Sequence, residues 1–330
     1  MKRAILIVAL TVALVGSLLT SNANESNASE LKNITFLTNF VFNGRHAPFF
    51  VGLEKGFYRD VGFNIDIKPT TGSGFVVTAV DSGQADFGMA NVSPVVLGLA
   101  RGAKVQAFMA YTDITTDGLA ALSPHPTPES VIGKRIAAGQ TNSARVLLPI
   151  IFNMHGLDAS KIDWQAADPS VYISLLMTGR VDLFTATSDS DVPNLRRIVE
   201  PQGGTVYFSS FAEWGYDIYG YVLLGAADAL ARNPDEARRF VEATKKAVEY
   251  SIANPDEAAR IMVKHNPTMN LDLVTTQWLA TIESMQTPYV EKHGYGAVTR
   301  ERIERSIALT REALDLEREI TPEELFLTLQ

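Results

Sequence analysis

The chain of 330 residues contains no cysteine. Disulfides, thiolate zinc sites, iron–sulfur clusters and cysteine nucleophiles are therefore excluded. The same absence excludes a lipid attached to a cysteine after a signal peptide. A protein outside the cytoplasm would then depend on its hydrophobic core alone, and a chain of this length buries enough apolar surface for that.

Motifs of common catalytic sites are also missing. The sequence has no G-x-S-x-G elbow, no phosphate-binding loop, no H-E-x-x-H pair and no dinucleotide fingerprint. Its five histidines are scattered, and no two have the helical spacing of metal ligands. Basic residues form no cluster and the net charge is −8, so nucleic acid is not an expected partner. We therefore expect no enzyme activity, no cofactor and no metal ion.

The N-terminus has the pattern of a secretory signal peptide. Two basic residues precede an apolar run over residues 4–19, and a small-residue cleavage site ends at Ala23. We expect residues 1–23 to direct export and to be removed, which leaves a tether over 24–32; an uncleaved anchor is the alternative. No later stretch reaches the ~18 apolar residues that span a bilayer. The sequence thus predicts a soluble periplasmic protein without a lipid anchor.

Strands and helices alternate along two blocks of the chain. Runs rich in β-formers predict strands, and apolar residues at helical spacing predict helices. In the first block the predicted strands are 33–40, 63–70, 85–90 and 105–112, and the predicted helices are 48–60, 75–83 and 93–102. In the second block the strands are 134–139, 162–167, 181–187 and 206–210, and the helices are 141–156 and 170–179. A strand at 216–225 and a mainly helical segment over 226–329 complete the chain, which is predicted to have an α/β fold.

Residues 76–90 repeat the pattern of residues 171–186. In both segments an apolar helix ends at a glycine, and a short strand follows with an aspartate at its start. Such units are common in α/β proteins, but one in each block indicates two similar lobes.

Polar and aromatic residues at predicted strand ends and helix starts are candidate ligand contacts. Ligands of open α/β sheets bind at the carboxyl ends of the strands, and helix starts offer free N–H groups. The candidates are Phe40, Ser73, Asn91, Ser93, Gln140, Thr141, Asn142, Ser143, Asp189, Asp217 and Tyr219. An ordinary core, cap or turn role explains each of them as well.

Residues 37–67, LTNFVFNGRHAPFFVGLEKGFYRDVGFNIDI, resemble the opening of a known family. The family comprises solute-binding proteins of ABC transporters of the thiamine-pyrimidine-precursor and sulfonate/taurine type. Phe40 stands at the family's aromatic position, Asn43 at its asparagine and His46 at its histidine, whereas Phe42 replaces a common proline. Two later segments, SGQADFGMA and IGKRIAAGQTNSA, are also similar to family sequences.

The resemblance implies a two-lobed type II periplasmic binding protein fold, in which each lobe is a mainly parallel sheet flanked by helices. One lobe would comprise 33–121 with 212–330, and the other would comprise 122–211. The ligand would lie in the cleft between the lobes, which hinge motion would close. The protein would act as a monomer and deliver its solute to an ABC permease in the inner membrane.

The resemblance also suggests the kind of ligand. His46 would offer a ring nitrogen, Phe40 would pack on a ring, and Asp189 or Asp217 would receive an amino group. Because the candidates are aromatic, amide and carboxylate side chains, we expect a heteroaromatic solute, with a thiamine pyrimidine precursor before a flavin-like one. Sulfonate, taurine or nitrate is the third choice.

A different function is known within the same family. It includes a cytosolic enzyme that makes the thiamine pyrimidine from its own histidine and pyridoxal phosphate, with an iron site on a cysteine-rich motif. The export signal and the absence of cysteine argue against that enzyme. A sensor lobe would require a signalling domain or a second membrane span, which the sequence lacks.

Overall fold

Two five-stranded sheets organise residues 31–328, the part of the chain that the computed structural model describes. The predicted signal peptide, 1–23, lies outside the described residues, as does most of the predicted tether. Residues 32–330 form one compact unit that contains both sheets. Between residues 31 and 328, no helix combines the length and the apolar character that a membrane span requires.

The two sheets have the same strand order. The strands are β1 (Lys32–Leu37), β2 (Phe63–Lys68), β3 (Phe87–Asn91), β4 (Val105–Ala110), β5 (Asp117–Ala121), β6 (Arg135–Ala138), β7 (Asp163–Ala166), β8 (Leu183–Thr187), β9 (Tyr207–Ser210) and β10 (Tyr221–Ala226). The first sheet is β2-β1-β3-β10-β4, and the second is β7-β6-β8-β5-β9. Only β10 in the first sheet and β5 in the second run antiparallel to their neighbours. We call each sheet with its helices a lobe.

Helices cover both sheets and form the C-terminal third of the chain. They are α1 (Ala47–Glu54), α2 (Phe57–Asp60), α3 (Ser73–Asp81), α4 (Val92–Ala100), α5 (Ala144–Met154), α6 (Tyr172–Met177), α7 (Asp191–Val199), α8 (Ala227–Arg232), α9 (Pro234–Ala253), α10 (Pro255–His265), α11 (Leu271–Met285), α12 (Pro288–His293), α13 (Arg300–Ala313) and α14 (Pro322–Leu325). One apolar cluster of the core continues from the first lobe into the second through α4, α5 and α13. The predicted α/β fold is confirmed.

The structure differs from the predicted elements at several places. The single helix 48–60 is two helices, because Gly56 has φ 76° and ends α1. The strand predicted over 216–225 begins only at Tyr221. Strand β5 was not predicted, since its sequence DGLAA has few β-formers. It pairs with β8 and β9, so the predicted lobe boundary at 121/122 falls after a strand of the second sheet.

The internal sequence repeat has a structural cause. Gly83 and Gly179 both have positive φ and follow α3 and α6. The aspartate before the next strand then binds the neighbouring strand: Asp86 Oδ2 accepts from the Thr35 N–H at 2.8 Å, and Asp182 Oδ2 accepts from the Arg135 N–H at 2.8 Å. The two segments therefore occupy equivalent positions in two similar sheets.

The lobes touch directly at the start of α3. Gly72 has φ 154°, and a Cβ there would overlap the carbonyl oxygen of Thr141 in the second lobe. The N–H of Gly74 donates to the same carbonyl at 3.1 Å, and the hydroxyls of Thr71 and Thr141 lie 3.1 Å apart. This close contact between the lobes therefore requires glycine at position 72.

A substitution at Gly72 tests whether this contact sets the distance between the lobes. We expect Gly72→Ala to keep the lobes apart, because the added methyl group meets the Thr141 backbone. Small-angle X-ray scattering should give a larger radius of gyration than for the wild type. The control is Gly102→Ala, where φ is also positive but no atom lies within 4 Å of the added Cβ. That variant should lose about 1 kcal/mol of stability from backbone strain without expanding, and equal radii for all three proteins would contradict the role of Gly72.

Candidate ligand-binding cleft

A polar cavity lies between the two sheets. It is formed where β1 and β8 end and where the antiparallel strands β5 and β10 begin, the edge at which α/β sheets place ligands. Its lining residues are Asn39, Phe40, Asn43, Arg45, Gly72, Ser73, Asp117, Asn142, Ser143, Thr185, Ala186, Thr187, Asp191 and Tyr221. The enclosed volume is about 20 Å³, which is the space of one ordered water. A ligand with a six-membered ring therefore requires the lobes to move apart.

Five residues predicted as ligand contacts line this cavity together. Phe40, Asn43 and Ser73 come from the first lobe, and Asn142 and Ser143 come from the second. They come together because the three segments that carry them follow strands β1, β2 and β6. Their role as ligand contacts stays a prediction.

His46 lies behind the wall of the cavity instead of in it. Its side chain is fully buried, and its two nitrogens are both engaged: Nδ1 lies 3.3 Å from the backbone N of Asn43, and Nε2 lies 3.0 Å from Asn39 Oδ1. Since Nδ1 accepts a hydrogen bond from an N–H, Nε2 carries the proton and donates to Asn39. Burial lowers the pKa of His46 well below its usual value, and the positive charge of Arg45 adds to the effect. His46 is thus a neutral residue that orients Asn39 at the cavity.

Asn91 and Ser93 are also buried outside the lining. Asn91 Nδ2 donates to Asp117 Oδ2 at 2.9 Å, so it contacts a cavity residue from behind. The hydroxyl of Ser93 lies 2.6 Å from the Tyr216 hydroxyl and 2.5 Å from that of Thr310. The start of α4 is therefore occupied by contacts within the protein.

Gln140 and Thr141 do not line the cavity either. Helix α5 begins at Ala144, later than predicted, so these residues belong to a loop before the helix. Gln140 is exposed, and Thr141 is engaged in the contact with Gly74.

Asp217 and Tyr219 precede β10, which begins at Tyr221, and neither lines the cavity. Asp217 is exposed and accepts from Arg302 Nη2 at 3.1 Å. Tyr219 packs against Tyr289, with the two hydroxyls 2.8 Å apart. Neither residue is placed to receive an amino group in the cavity.

Asp189 is buried in an ion pair that joins the lobes. Its Oδ2 accepts from Arg45 Nε at 2.7 Å, and its Oδ1 accepts from Arg45 Nη2. Each side chain is 1% exposed. Thr281 Oγ1 donates to Asp189 Oδ2 at 3.0 Å, Thr187 Oγ1 accepts from Arg45 Nη2 at 3.0 Å, and the guanidinium lies 4.5 Å from the ring centre of Tyr221. Asp189 is therefore committed to Arg45 and has no free oxygen for an amino group.

Each member of the pair keeps the other charged. Burial acts to lower the pKa of Arg45, but the Asp189 carboxylate, together with Tyr221 and Asp117, outweighs it and the pKa is raised. Burial acts to raise the pKa of Asp189, but Arg45 outweighs it and the pKa is lowered. Both groups are thus ionised, and together they contribute no net charge to the cavity.

Asp117 is the acceptor at the base of the cavity. Asp117 Oδ1 accepts from Ser143 Oγ of the second lobe at 2.8 Å. Its Oδ2 accepts from Asn91 Nδ2 at 2.9 Å and Thr115 Oγ1 at 2.8 Å, with the Tyr221 hydroxyl at 3.4 Å. Since these donors come from both lobes, Asp117 links the lobes.

Among the carboxylates of the lining, that of Asp191 accepts the fewest hydrogen bonds from the described residues. Its Oδ2 accepts from the N–H of Thr187 at 2.8 Å and from the Thr187 hydroxyl at 3.2 Å. No residue within 31–328 donates to its Oδ1. Burial raises the pKa of Asp191 to about 6, against the opposing effects of the Thr187 N–H and of Arg45. This carboxylate is therefore able to accept a hydrogen bond from a ligand.

The three charged residues of the lining, Arg45, Asp117 and Asp191, were not predicted from the sequence. Arg45 lies between two predicted residues, Asn43 and His46, so its position was a usable signal. Asp191 follows the same strand as Asp189, but the sequence does not show which of the two faces the cavity. Asp117 was missed together with β5.

Comparisons with known proteins agree on the family and on the fold. The family model described as "NMT1/THI5 like" matches residues 43–258. A 4-amino-5-hydroxymethyl-2-methylpyrimidine phosphate synthase of Saccharomyces cerevisiae is 24% identical over 257 residues, which cover 74% of this chain and 74% of that protein. A Brucella abortus protein described as a binding protein is 21% identical over 215 residues, covering 65% and 66%. The structure of the alkanesulfonate-binding protein SsuA from Xanthomonas axonopodis bound to MOPS has a TM-score of 0.69 at 13% identity, covering 90% and 99%.

The buried ion pair makes a prediction for stability. Arg45→Met leaves the Asp189 carboxylate buried without its partner, so we expect a loss of about 3–5 kcal/mol in the free energy of unfolding. The double variant Arg45→Met with Asp189→Leu removes both charges and should lose much less. Urea denaturation measures both values. Arg300→Met, which breaks exposed pairs with Glu304 and Glu323, is the control and should change stability little. Equal losses for the single and double cleft variants would contradict the prediction.

Proposed function

The chain belongs to the NMT1/THI5 like family, and we propose that it is the solute-binding component of an ABC importer that captures a small heteroaromatic amine. The two-lobed fold, shared with solute-binding proteins such as the SsuA structure, supports capture by closure. The observation that carries the ligand class is the Asp191 carboxylate, which lines the cavity with one oxygen that accepts from no residue in the described part of the chain.

The charge of the cavity favours an amine over an anion. Arg45 is neutralised by Asp189, which leaves the carboxyl groups of Asp117 and Asp191 uncompensated by a cation in the lining. A sulfonate or nitrate would be repelled by these groups, whereas an amino group would donate to Asp191. This supports a thiamine pyrimidine precursor as the first candidate and a flavin-like heterocycle as the second.

The other lining residues suit a flat ring with hydrogen-bonding edges. Phe40 and Tyr221 offer aromatic surface from the first lobe. The amides of Asn39, Asn43 and Asn142 both donate and accept, so they can pair with ring nitrogens and a hydroxyl group. An aminopyrimidine carries donors and acceptors in this mixture.

Closure would couple binding to recognition by a permease. The enclosed volume of about 20 Å³ means that the ligand enters an open form. A ligand held by groups of both lobes then stabilises a more closed form through its additional contacts. We propose that the protein works as a monomer in the periplasm and that an ABC permease of the inner membrane is its partner.

We further propose that the solute is bound without chemical change. His46, the histidine at the family position, is bonded at both ring nitrogens and does not line the cavity. The synthase names of several relatives make the enzyme the alternative, and the test below includes it.

Thermal-shift screening of the purified protein tests this proposal. The panel comprises 4-amino-5-hydroxymethyl-2-methylpyrimidine, riboflavin, taurine, ethanesulfonate and nitrate. Binding to the folded state alone raises stability by about 2.7 kcal/mol at a hundredfold excess over Kd, so we expect a clear shift with the pyrimidine. Each mixture is also analysed by mass spectrometry. A shift with taurine, ethanesulfonate or nitrate alone would contradict the ligand class, and turnover of any compound, or of the protein's own histidine with pyridoxal phosphate, would contradict the binding role.

Asp191 makes a prediction for the pH dependence of binding. As the pH falls through about 6, the carboxylate becomes protonated and accepts more weakly from the amino group, so affinity for the pyrimidine should fall. Asp191→Asn should weaken binding about tenfold at neutral pH and remove this step from the profile. Isothermal titration calorimetry across the pH range measures both. Because the ligand also titrates, the comparison is with Asp217→Asn, which lies outside the cavity and should keep the wild-type profile; a step retained in Asp191→Asn would assign it to another group.

A further inference from the structure

The cavity is lined by an arginine that could bind an anion, but this arginine is already paired with a carboxylate of the protein. Arg45 is the one arginine or lysine in the lining, which consists wholly of described residues. A guanidinium presents two parallel N–H groups that match a carboxylate, a sulfonate or a nitrate. In this protein those two groups, Nε and Nη2, are both bound to Asp189.

The blocking carboxylate is itself held firmly. Asp189 belongs to the second lobe, and Thr281 of the first lobe donates to its Oδ2 at 3.0 Å. The pair is almost completely buried, at 1% exposure for each side chain. A solute anion that displaced Asp189 would leave a buried carboxylate without a partner, which is strongly unfavourable.

We propose that Asp189 is a specificity-determining residue that cancels the charge of Arg45 and thereby excludes sulfonates and nitrate from the cleft. The inference rests on the proposed function, because it assigns the selectivity of that same site. It differs from the role of Asp191, which accepts from the ligand: Asp189 acts only through Arg45 and does not line the cavity.

The proposal implies that one substitution changes the class of ligand. Asp189→Asn removes the negative charge but keeps the shape of the side chain, so the guanidinium has a free charge beside the cavity. An oxyanion then supplies the missing counter-charge, with Thr187 Oγ1 as a neighbouring hydroxyl group. The affinity for ethanesulfonate should rise by about tenfold or more, the effect of a charge-assisted hydrogen bond.

The experiment compares four proteins by isothermal titration calorimetry. Wild type, Asp189→Asn, the double variant Asp189→Asn with Arg45→Met, and Asp217→Asn are each titrated with ethanesulfonate, nitrate and 4-amino-5-hydroxymethyl-2-methylpyrimidine. Asp217→Asn is the matched control, since it removes one carboxylate from an arginine contact outside the cavity. We expect sulfonate binding in Asp189→Asn alone, because the double variant lacks the guanidinium.

The outcomes separate this inference from the proposed function. Sulfonate binding by the wild type, or its absence in a folded Asp189→Asn, would overturn the blocking role. If the wild type does not bind the pyrimidine but Asp189→Asn binds the sulfonate, the proposed ligand is overturned and the blocking role of Asp189 remains. If Asp189→Asn does not fold in buffer, refolding is repeated with ethanesulfonate. If the variant folds only when ethanesulfonate is present, the proposal is supported. If the variant fails to fold both with and without ethanesulfonate, the proposal is overturned.

Discussion

The ion pair between Arg45 and Asp189 is the constraint on which the cleft depends. Burial of two charges is costly unless each finds its partner and further hydrogen bonds. Thr281 and Thr187 provide those bonds, and Tyr221 covers the guanidinium. Because the partners belong to different lobes, the pair fixes how the lobes meet at the inner end of the cleft.

Asp117 serves the same purpose at the base of the cavity. It collects donors from Ser143 of the second lobe and from Asn91 of the first. The contact of Gly72 with Thr141 lies at the start of α3 and uses backbone atoms in place of charges. The lobes are thus held by buried carboxylates at the base of the cleft and by a weaker, neutral contact at the start of α3.

The sequence predicts the architecture better than the site. Hydrophobic periodicity and the repeated helix–glycine–strand unit are local signals, and they led to the two α/β lobes. Strand β5 was not predicted because its few small residues carry no periodicity. The predicted boundary between the lobes was therefore placed after this strand, although the strand belongs to the second sheet. In the site, Phe40 and Asn142 were found because strand ends and helix starts are local features. Which carboxylate is neutralised depends on a contact between residues 45 and 189, and no local pattern records that pairing.

The distinction between Asp189 and Asp191 shows why fold similarity does not identify the ligand. A two-lobed scaffold like that of SsuA supplies the same strand ends whatever the solute. Here the only cation among the described lining residues is cancelled by Asp189, and Asp191 remains as an acceptor. The net charge at the strand ends therefore depends on the pairing of Arg45 with Asp189, which lies two residues before α7 begins. Under the proposed function, a cleft with this pairing would select hydrogen-bond donors, although its fold is shared with the alkanesulfonate-binding protein SsuA.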